Sequence, residues 1–290
     1  MPYAFPTAPP GIFQLDGNKP VPHGYGINWD DPLAEGLFAY YAMWENASET
    51  VYNLGNRPGV NGDMVMETMA PDSWFPAEFG PAITADGTAG DSLITENTFA
   101  QDDFEQFTLM SLFRFTSQSD DNAGVFGRSE AFEDGEILIG ARTNGDIRTF
   151  SDGSAGTAIQ AVSGFDDGAW HVVHWVRVAS DDHRLYVGGL LTGSSGVETG
   201  SIAPASAQQW VIGRRFNAGF DFIGDIALCA AWSRALDPDE ITEASQPCNW
   251  FRLITPDSMD VGDFAIAAGQ PQLVDGGLVN RGLVNSGLVA

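Results

Sequence analysis

Glu136-Ile137-Leu138-Ile139-Gly140 and Asp146-Ile147-Arg148-Thr149-Phe150 stand on either side of Thr143-Asn144-Gly145. Each flank is a short apolar stretch, and Asn-Gly is the strongest short-range signal for a two-residue hairpin turn. The segment reads as two antiparallel strands joined tightly. The same pattern recurs outward from it. Phe107 to Phe115, Trp170 to Val178, Arg184 to Val187, Gln209 to Gly213 and Phe222 to Trp232 are short apolar runs, separated by Gly, Asn and Asp. Asp134-Gly135 offers a second turn. Helical periodicity is nearly absent, so the chain is expected to be antiparallel and all-β. One short helix stands apart, in Leu236-Asp237-Pro238-Asp239-Glu240-Ile241. Asp237 can cap it, Pro238 fits its first turn, the next acids suit its positive end, and it should stop before Pro247.

The chain has 290 residues, enough to bury a full core without staples. Composition divides it into three zones. Residues 1–32 are a Pro-rich arm (Pro2, Pro6, Pro9, Pro10, Pro20, Pro22, Pro32) that also carries Phe5, Phe13, Tyr25 and Trp29. Proline forces it to be extended or irregular, and its apolar groups mark it as a docking arm. Residues 33–255 are the strand-rich body. Residues 256–290 end in a repeat of period five, with Leu273, Leu278, Leu283 and Leu288 each followed by Val. Neither the helical nor the strand period matches five, whereas a β-helix side that turns at Gly does. The tail is too short to close its own solenoid. It is expected to be buried by association, in a trimer or larger assembly or within a partner, with folding back onto its own sandwich as the alternative.

The charge is lopsided, with 39 acidic residues against 13 basic ones, a formal net charge of −26, and Lys19 as the one lysine. Such a surface repels nucleic acid and anionic membranes, which excludes recognition driven by phosphate contacts. Cations, neutral glycans and basic protein surfaces remain as partners. No run is long and apolar enough to predict a membrane-spanning helix, and Met1 to Pro6 lacks the features of a secretory signal. Cys229 and Cys248 could form one bridge or stay two thiols, and the sequence leaves both open.

Three motifs, in order, resemble the concanavalin A-like (laminin-G-like) jelly-roll family. Pro32 to Tyr41, Glu45 and Val51-Tyr52-Asn53-Leu54-Gly55-Asn56 resemble its opening strand and acidic turn, with Asn53 where Asp is usual. Asp167-Gly168-Ala169-Trp170-His171-Val172-Val173 with Arg184-Leu185-Tyr186-Val187-Gly188-Gly189 resembles its Trp-His strand and hairpin partner, with Gly188 replacing Asp. Phe222-Ile223-Gly224-Asp225-Ile226, through Trp232 to Ile241, resembles its closing strand and helix. The resemblance implies a β-sandwich jelly roll in which Trp170 and Trp232 anchor the core and Gly224 permits close strand approach. The ends resemble single-domain laminin-G-like proteins of tailed phages and prophages.

Site chemistry is weighed on that fold. A hydrolase of this family would carry Glu-x-Asp-x-Glu on one strand face, which alternation would bring into one cleft. The chain has no such triplet, and Glu130, Glu133, Asp134 and Glu136 are split by a turn, so no catalysis is expected. His171 and His174 are three apart on a strand and point to opposite faces, which argues against zinc. The resemblance implies that no cofactor is required, with a structural calcium as the one ion the fold would take, through Asp91 and Asp225. Glycan binding, the family's common non-catalytic role, needs an aromatic platform with acids and amides beside it. Trp44, Trp74, Phe75 and Phe79 are the candidates.

These features together predict a structural protein of a tailed-phage virion, made in the host cytoplasm without a signal peptide and displayed on the particle surface. The sandwich would face solvent and touch glycans, while the arm and tail bind other virion proteins and sister subunits. The rival is a glycan-binding adhesion module of a cellular surface or secreted protein, and a glycoside hydrolase comes third.

Overall fold

The computed structural model describes residues 25–43, 49–55, 62–69, 73–77, 80–95, 104–129, 135–152, 157–160, 163–179, 182–195, 202, 208–215, 220–246, 249, 253–256, 273–274 and 277–278. The chain divides into two compact units, Met1–Thr255 and Pro256–Ala290. The first unit is an antiparallel sandwich of two sheets with one short helix, as the strand pattern predicts.

The first sheet runs, edge to edge, β15 (Leu190–Ser195), β14 (Asp182–Val187), β13 (His171–Ala179), β8 (Phe107–Arg114), β17 (Ile223–Trp232), β6 (Gly80–Asp86) and β5 (Trp74–Ala77), and β2 (Leu37–Tyr41) also pairs with β17. The second runs β12 (Thr157–Gln160), β11 (Ile147–Asp152), β10 (Glu136–Ala141), β9 (Ala123–Ser129), β16 (Gln209–Ile212), β7 (Leu93–Thr95), β4 (Met64–Met66) and β3 (Thr50–Val51). Strand β1 (Tyr25–Ile27) pairs with β18 (Ile254–Pro256).

Alternation explains the core. On β13, Val173 and Trp175 face the space between the sheets, while Val172 and Val176 join a second apolar layer on the opposite face. Trp175, Trp210, Phe107, Phe113, Phe126 and Phe222 are fully buried in the inter-sheet layer. Phe107 meets Trp175 edge-on with centroids 4.8 Å apart. Each such ring contributes roughly 1.5–3 kcal/mol through removal from water.

The second layer is closed by helix α1 (Pro238–Ala244) and by the chain entering the sandwich. Asp237 caps the helix as expected, and Glu240 reaches back to complete a capping box. The buried Trp232 indole donates to the Leu33 carbonyl at 2.7 Å. Arg234 forks onto Glu240 with two contacts of 2.7 Å and donates to the Glu35 carbonyl at 2.6 Å. Asn28 N–H donates to the Leu253 carbonyl at 2.7 Å. The described end of the arm thus docks on its own chain, while residues 1–24 lie outside the described residues.

Two departures have local causes. Asn144-Gly145 does not form the two-residue turn that the pair signals. Only Gly145 has a positive φ, at +80°, and Ala141 pairs with Ile147, so the loop is a longer turn with glycine in the left-handed position. The two-residue turn with two positive φ angles falls instead at Gly188-Gly189, between the paired Val187 and Leu190. Asn53, where Asp was the usual residue, uses both ends of its amide. Its Oδ1 accepts from Tyr40 and Gly55 N–H at 2.9 Å each, and its Nδ2 donates to the Phe38 carbonyl at 3.1 Å. A carboxylate would set a second acceptor against that carbonyl.

In the second unit, Leu273–Val274 pairs antiparallel with Gly277–Leu278, so Leu273 stands opposite Leu278. Leu283 and Leu288 lie outside the described residues.

Candidate functional site

Three strands of the first sheet place three polar side chains in one row. Asp225 on β17 is in register with Thr84 on β6 and with Arg114 on β8. Arg114 ends a β8 series in which Met110 and Leu112 face the layer under α1, so its side chain shares that outward face. Its Nε donates to Asp225 Oδ2 at 2.7 Å, and the Thr84 hydroxyl donates to Asp225 Oδ1 at 2.7 Å. The row lies at the part of the face that α1 leaves open, and the Arg114 side chain is 37% exposed.

Two aromatic rings flank the guanidinium. Trp170, in the turn before β13, has its ring centroid 4.8 Å from Arg114 Cζ, and Phe75 on β5 has its own at 5.6 Å. Both rings are half-buried. Such cation–π contacts contribute about 0.5–1 kcal/mol at exposed sites. Among the described residues Arg114 makes no other hydrogen bond, so its two terminal nitrogens stand as free donors between two apolar ring surfaces. This is a half-open platform of ring faces, hydrogen-bond donors, a carboxylate and a hydroxyl. Sugars present the complementary mixture of C–H faces and hydroxyl groups.

Close backbone approach builds the row. A Cβ added at Gly224 would lie 2.3 Å from the Arg114 carbonyl oxygen. Backbone cannot yield there as a flexible side chain would. Gly224→Ala is expected to part β17 from β8, to cost about 1–3 kcal/mol as an overpacked contact, and to misplace Arg114. Urea unfolding and glycan binding measured on the same variant check both effects.

The structure sorts the residues singled out from sequence. Phe75 and Asp225, expected in separate glycan and calcium roles, meet around Arg114. Trp74 is turned inward, opposite Ile83, and belongs to the inter-sheet core. Trp44 and Phe79 lie outside the described residues. Trp170, expected as a core anchor, is half-buried: it packs against the second apolar layer and also lies over Arg114, because it precedes β13 rather than lying within it. Trp232 is the core anchor of the pair. Arg114, Trp170 and Thr84 were missed as site residues. The signal for Arg114 was its charge at an outward position ending an otherwise apolar strand.

Asp91 and Asp225 are engaged separately. Asp225 is taken by Arg114 and Thr84. Asp91 accepts from Asp86 N–H at 3.1 Å, while Gly90 N–H donates to Asp221 at 3.2 Å. Burial, with the neighbouring Asp86 and Asp221 carboxylates adding to it, raises the Asp91 carboxyl above its ordinary pKa. Among the described residues no group of three or more His, Cys, Asp or Glu side chains is arranged to hold a metal ion. His171 bonds to Asp167 at 3.0 Å, whereas His174 is buried on the sheet face with no partner for either ring nitrogen. Glu136, from the carboxylate cluster considered for hydrolysis, is fully buried and bound by Arg215; Glu130, Glu133 and Asp134 lie outside the described residues. Cys229 is a free buried thiol beside the Ser111 hydroxyl, and burial raises its pKa well above the ordinary value.

The fold has solved relatives. The binding domain of Paraclostridial Mosquitocidal Protein 1 superposes with a TM-score of 0.57 at 13% identity, over 73% of this chain and 52% of that one. Domain 4 of AbnA, a GH43 extracellular arabinanase from Geobacillus stearothermophilus in complex with arabinotriose, gives 0.55 at 15% identity, over 72% and 98%. The receptor binding domain of botulinum neurotoxin D gives 0.55 at 14% identity, over 73% and 53%. The chain thus spans about half the length of two of these and nearly all of the third. At these identities the likeness is one of fold. No curated protein matches by sequence. The model of the concanavalin A-like lectin/glucanases superfamily matches residues 86–242, more than half of the sequence. That span holds most of both sheets, the closing strand and the Arg114–Asp225 row, and by it the chain belongs to the concanavalin A-like lectin/glucanase superfamily.

Proposed function

We propose that this chain is a non-catalytic, glycan-binding sandwich displayed on the surface of a tailed-phage particle. The observation that carries the glycan half is Arg114, with two free donors, between the rings of Trp170 and Phe75 and beside Asp225. A sugar ring laid there covers its C–H face with an aromatic surface. Its hydroxyls donate to Asp225 and accept from Arg114. The net charge of −26 favours a neutral sugar at this platform. Support also comes from fold relatives that bind arabinotriose or are named as receptor binding domains. The particle half is supported by the Leu-Val tail, whose apolar repeat suits burial between subunits or in a partner. Virion proteins and sister subunits are its partners in this reading.

A neutral-glycan microarray probed with the full chain and with Trp170→Ala tests the glycan half. Retention on a restricted set of neutral glycans is expected, with at least tenfold weaker binding by the variant. No retained glycan, or equal retention by the variant, overturns it. Mass spectrometry of purified particles from a producing host tests the other half, which falls if the chain is absent from them.

A further inference from the structure

We propose that the outer face of the second sheet carries a separate site for the carboxylate of an acidic sugar, built on Arg148. This goes beyond the platform at Trp170, which lies on the other sheet and suits a neutral sugar.

The face is assembled by glycine. Arg148 and Phe150 lie two apart on β11 and share its outward side, with Gly140 opposite Arg148 and Leu138 opposite Phe150. A Cβ at Gly140 would lie 3.2 Å from the Phe150 ring, and one at Gly124 would lie 2.2 Å from the Arg214 carbonyl. Without these side chains Phe150 lies down over β10, and the backbone after β16 crosses close over β9. That crossing delivers Arg215. The guanidinium groups of Arg148 and Arg215 then sit over one ring, 4.1 and 4.3 Å from its centroid.

The partners differ. Arg215 is bound twice by the buried Glu136, at 2.8 and 2.5 Å. Arg142 is paired with Asp121 at 3.1 Å and lies 3.8 Å from Asp146. Arg214 is paired with Glu67, Arg114 with Asp225, Arg184 with Asp182 and Arg234 with Glu240. Among the described residues Arg148 makes no ion pair with a carboxylate. It donates one Nη1 bond to the neutral Asn122 amide at 3.1 Å, and its buried Nε has no acceptor at all. The nearest negative charge, Asp121, is already paired with Arg142, so a half-buried guanidinium held on a ring with one N–H unmet is an unfilled position. Burial, with Arg142 and Arg215 nearby, also lowers its pKa, which marks the same unmet demand for negative charge.

One carboxylate fits this demand, since a guanidinium fork matches its two oxygens. Asn122 and Asp121 are half-buried beside it, and Thr143 and Asn144 are exposed at the rim. These amides, hydroxyl and acid suit the remaining hydroxyls of a sugar ring. The other arginines here are neutralised, and the whole chain is strongly negative. The site therefore takes a single terminal uronate rather than a polyuronide.

Isothermal titration of the full chain with sodium D-glucuronate, D-glucose and sodium acetate tests this, with Arg148→Gln beside the wild type. The expected result is saturable glucuronate binding, at least tenfold stronger than for glucose or acetate and weakened by 0.5 M salt. Arg148→Gln should lose it, whereas Trp170→Ala should keep it, which separates this site from the platform. Equal affinity for glucose, or glucuronate binding that survives Arg148→Gln, overturns the proposal. Equal affinity for acetate overturns the sugar as ligand. The wild-type comparison stands whatever the variant does to folding.

Discussion

Replacing His174 with leucine is expected to remove much of the protein's loss of stability in mild acid. His174 is fully buried between Met110 on β8 and Tyr186 on β14, and neither ring nitrogen has a partner. Burial lowers its pKa from 6.5 to about 3. A folded chain then keeps this imidazole neutral while the unfolded chain takes up a proton below pH 6.5. Stability from this residue is complete above that pH and drains away as pH falls toward 3. At pH 4.5 the gap is two pH steps, or about 3 kcal/mol. Leucine has a similar volume and no proton to bind. Urea unfolding of both chains at pH 7.5 and 4.5 measures it. The variant should lose about 3 kcal/mol less than the wild type on acidification, and parallel losses would contradict the account.

Glu136→Ala is expected to be more damaging at neutral pH, costing about 3–5 kcal/mol. Glu136 is fully buried, holds both nitrogens of the Arg215 fork and accepts from the Ser129 hydroxyl. Its loss leaves the buried Arg215 cation without its carboxylate and frees it to leave Phe150. The cost comes from stranding one charge, not from a large net worth of the pair. Changing both residues to methionine should therefore recover most of the loss. Urea midpoints for the single and double variants decide this. A double variant as unstable as Glu136→Ala would show that the pair does more than neutralise itself.

The strand-turn pattern around Glu136 and Phe150 was legible because alternation and turn chemistry are local. So was helix α1, whose cap, first-turn proline and stop all lie within one short segment. The turn at Asn144-Gly145 is longer because the strand register, a property of both strands, makes Ala141 and Ile147 the last pair and leaves five residues between them. The resemblance implies a core role for Trp170, and its position just before β13 leaves it at the edge of the second layer, where it also covers Arg114. The Arg114–Asp225–Thr84 row joins residues 141 positions apart in the case of Thr84 and Asp225, and no local spacing encodes that. Asp91 and Asp225 were paired by the family's habit. Here Arg114 takes Asp225 and the Asp86 backbone amide takes Asp91.

A glycan laid at Trp170 and Arg114 would change the surroundings of both side chains. Proton–nitrogen spectra of the full chain, recorded while titrating a glycan retained on the array, test it most directly. The indole N–H of Trp170 and the Nε–H of Arg114 should shift together and saturate at one affinity, while the buried Trp175, Trp210 and Trp232 indoles stay in place. Saturable binding that leaves Trp170 and Arg114 unmoved would contradict the account and place the glycan elsewhere.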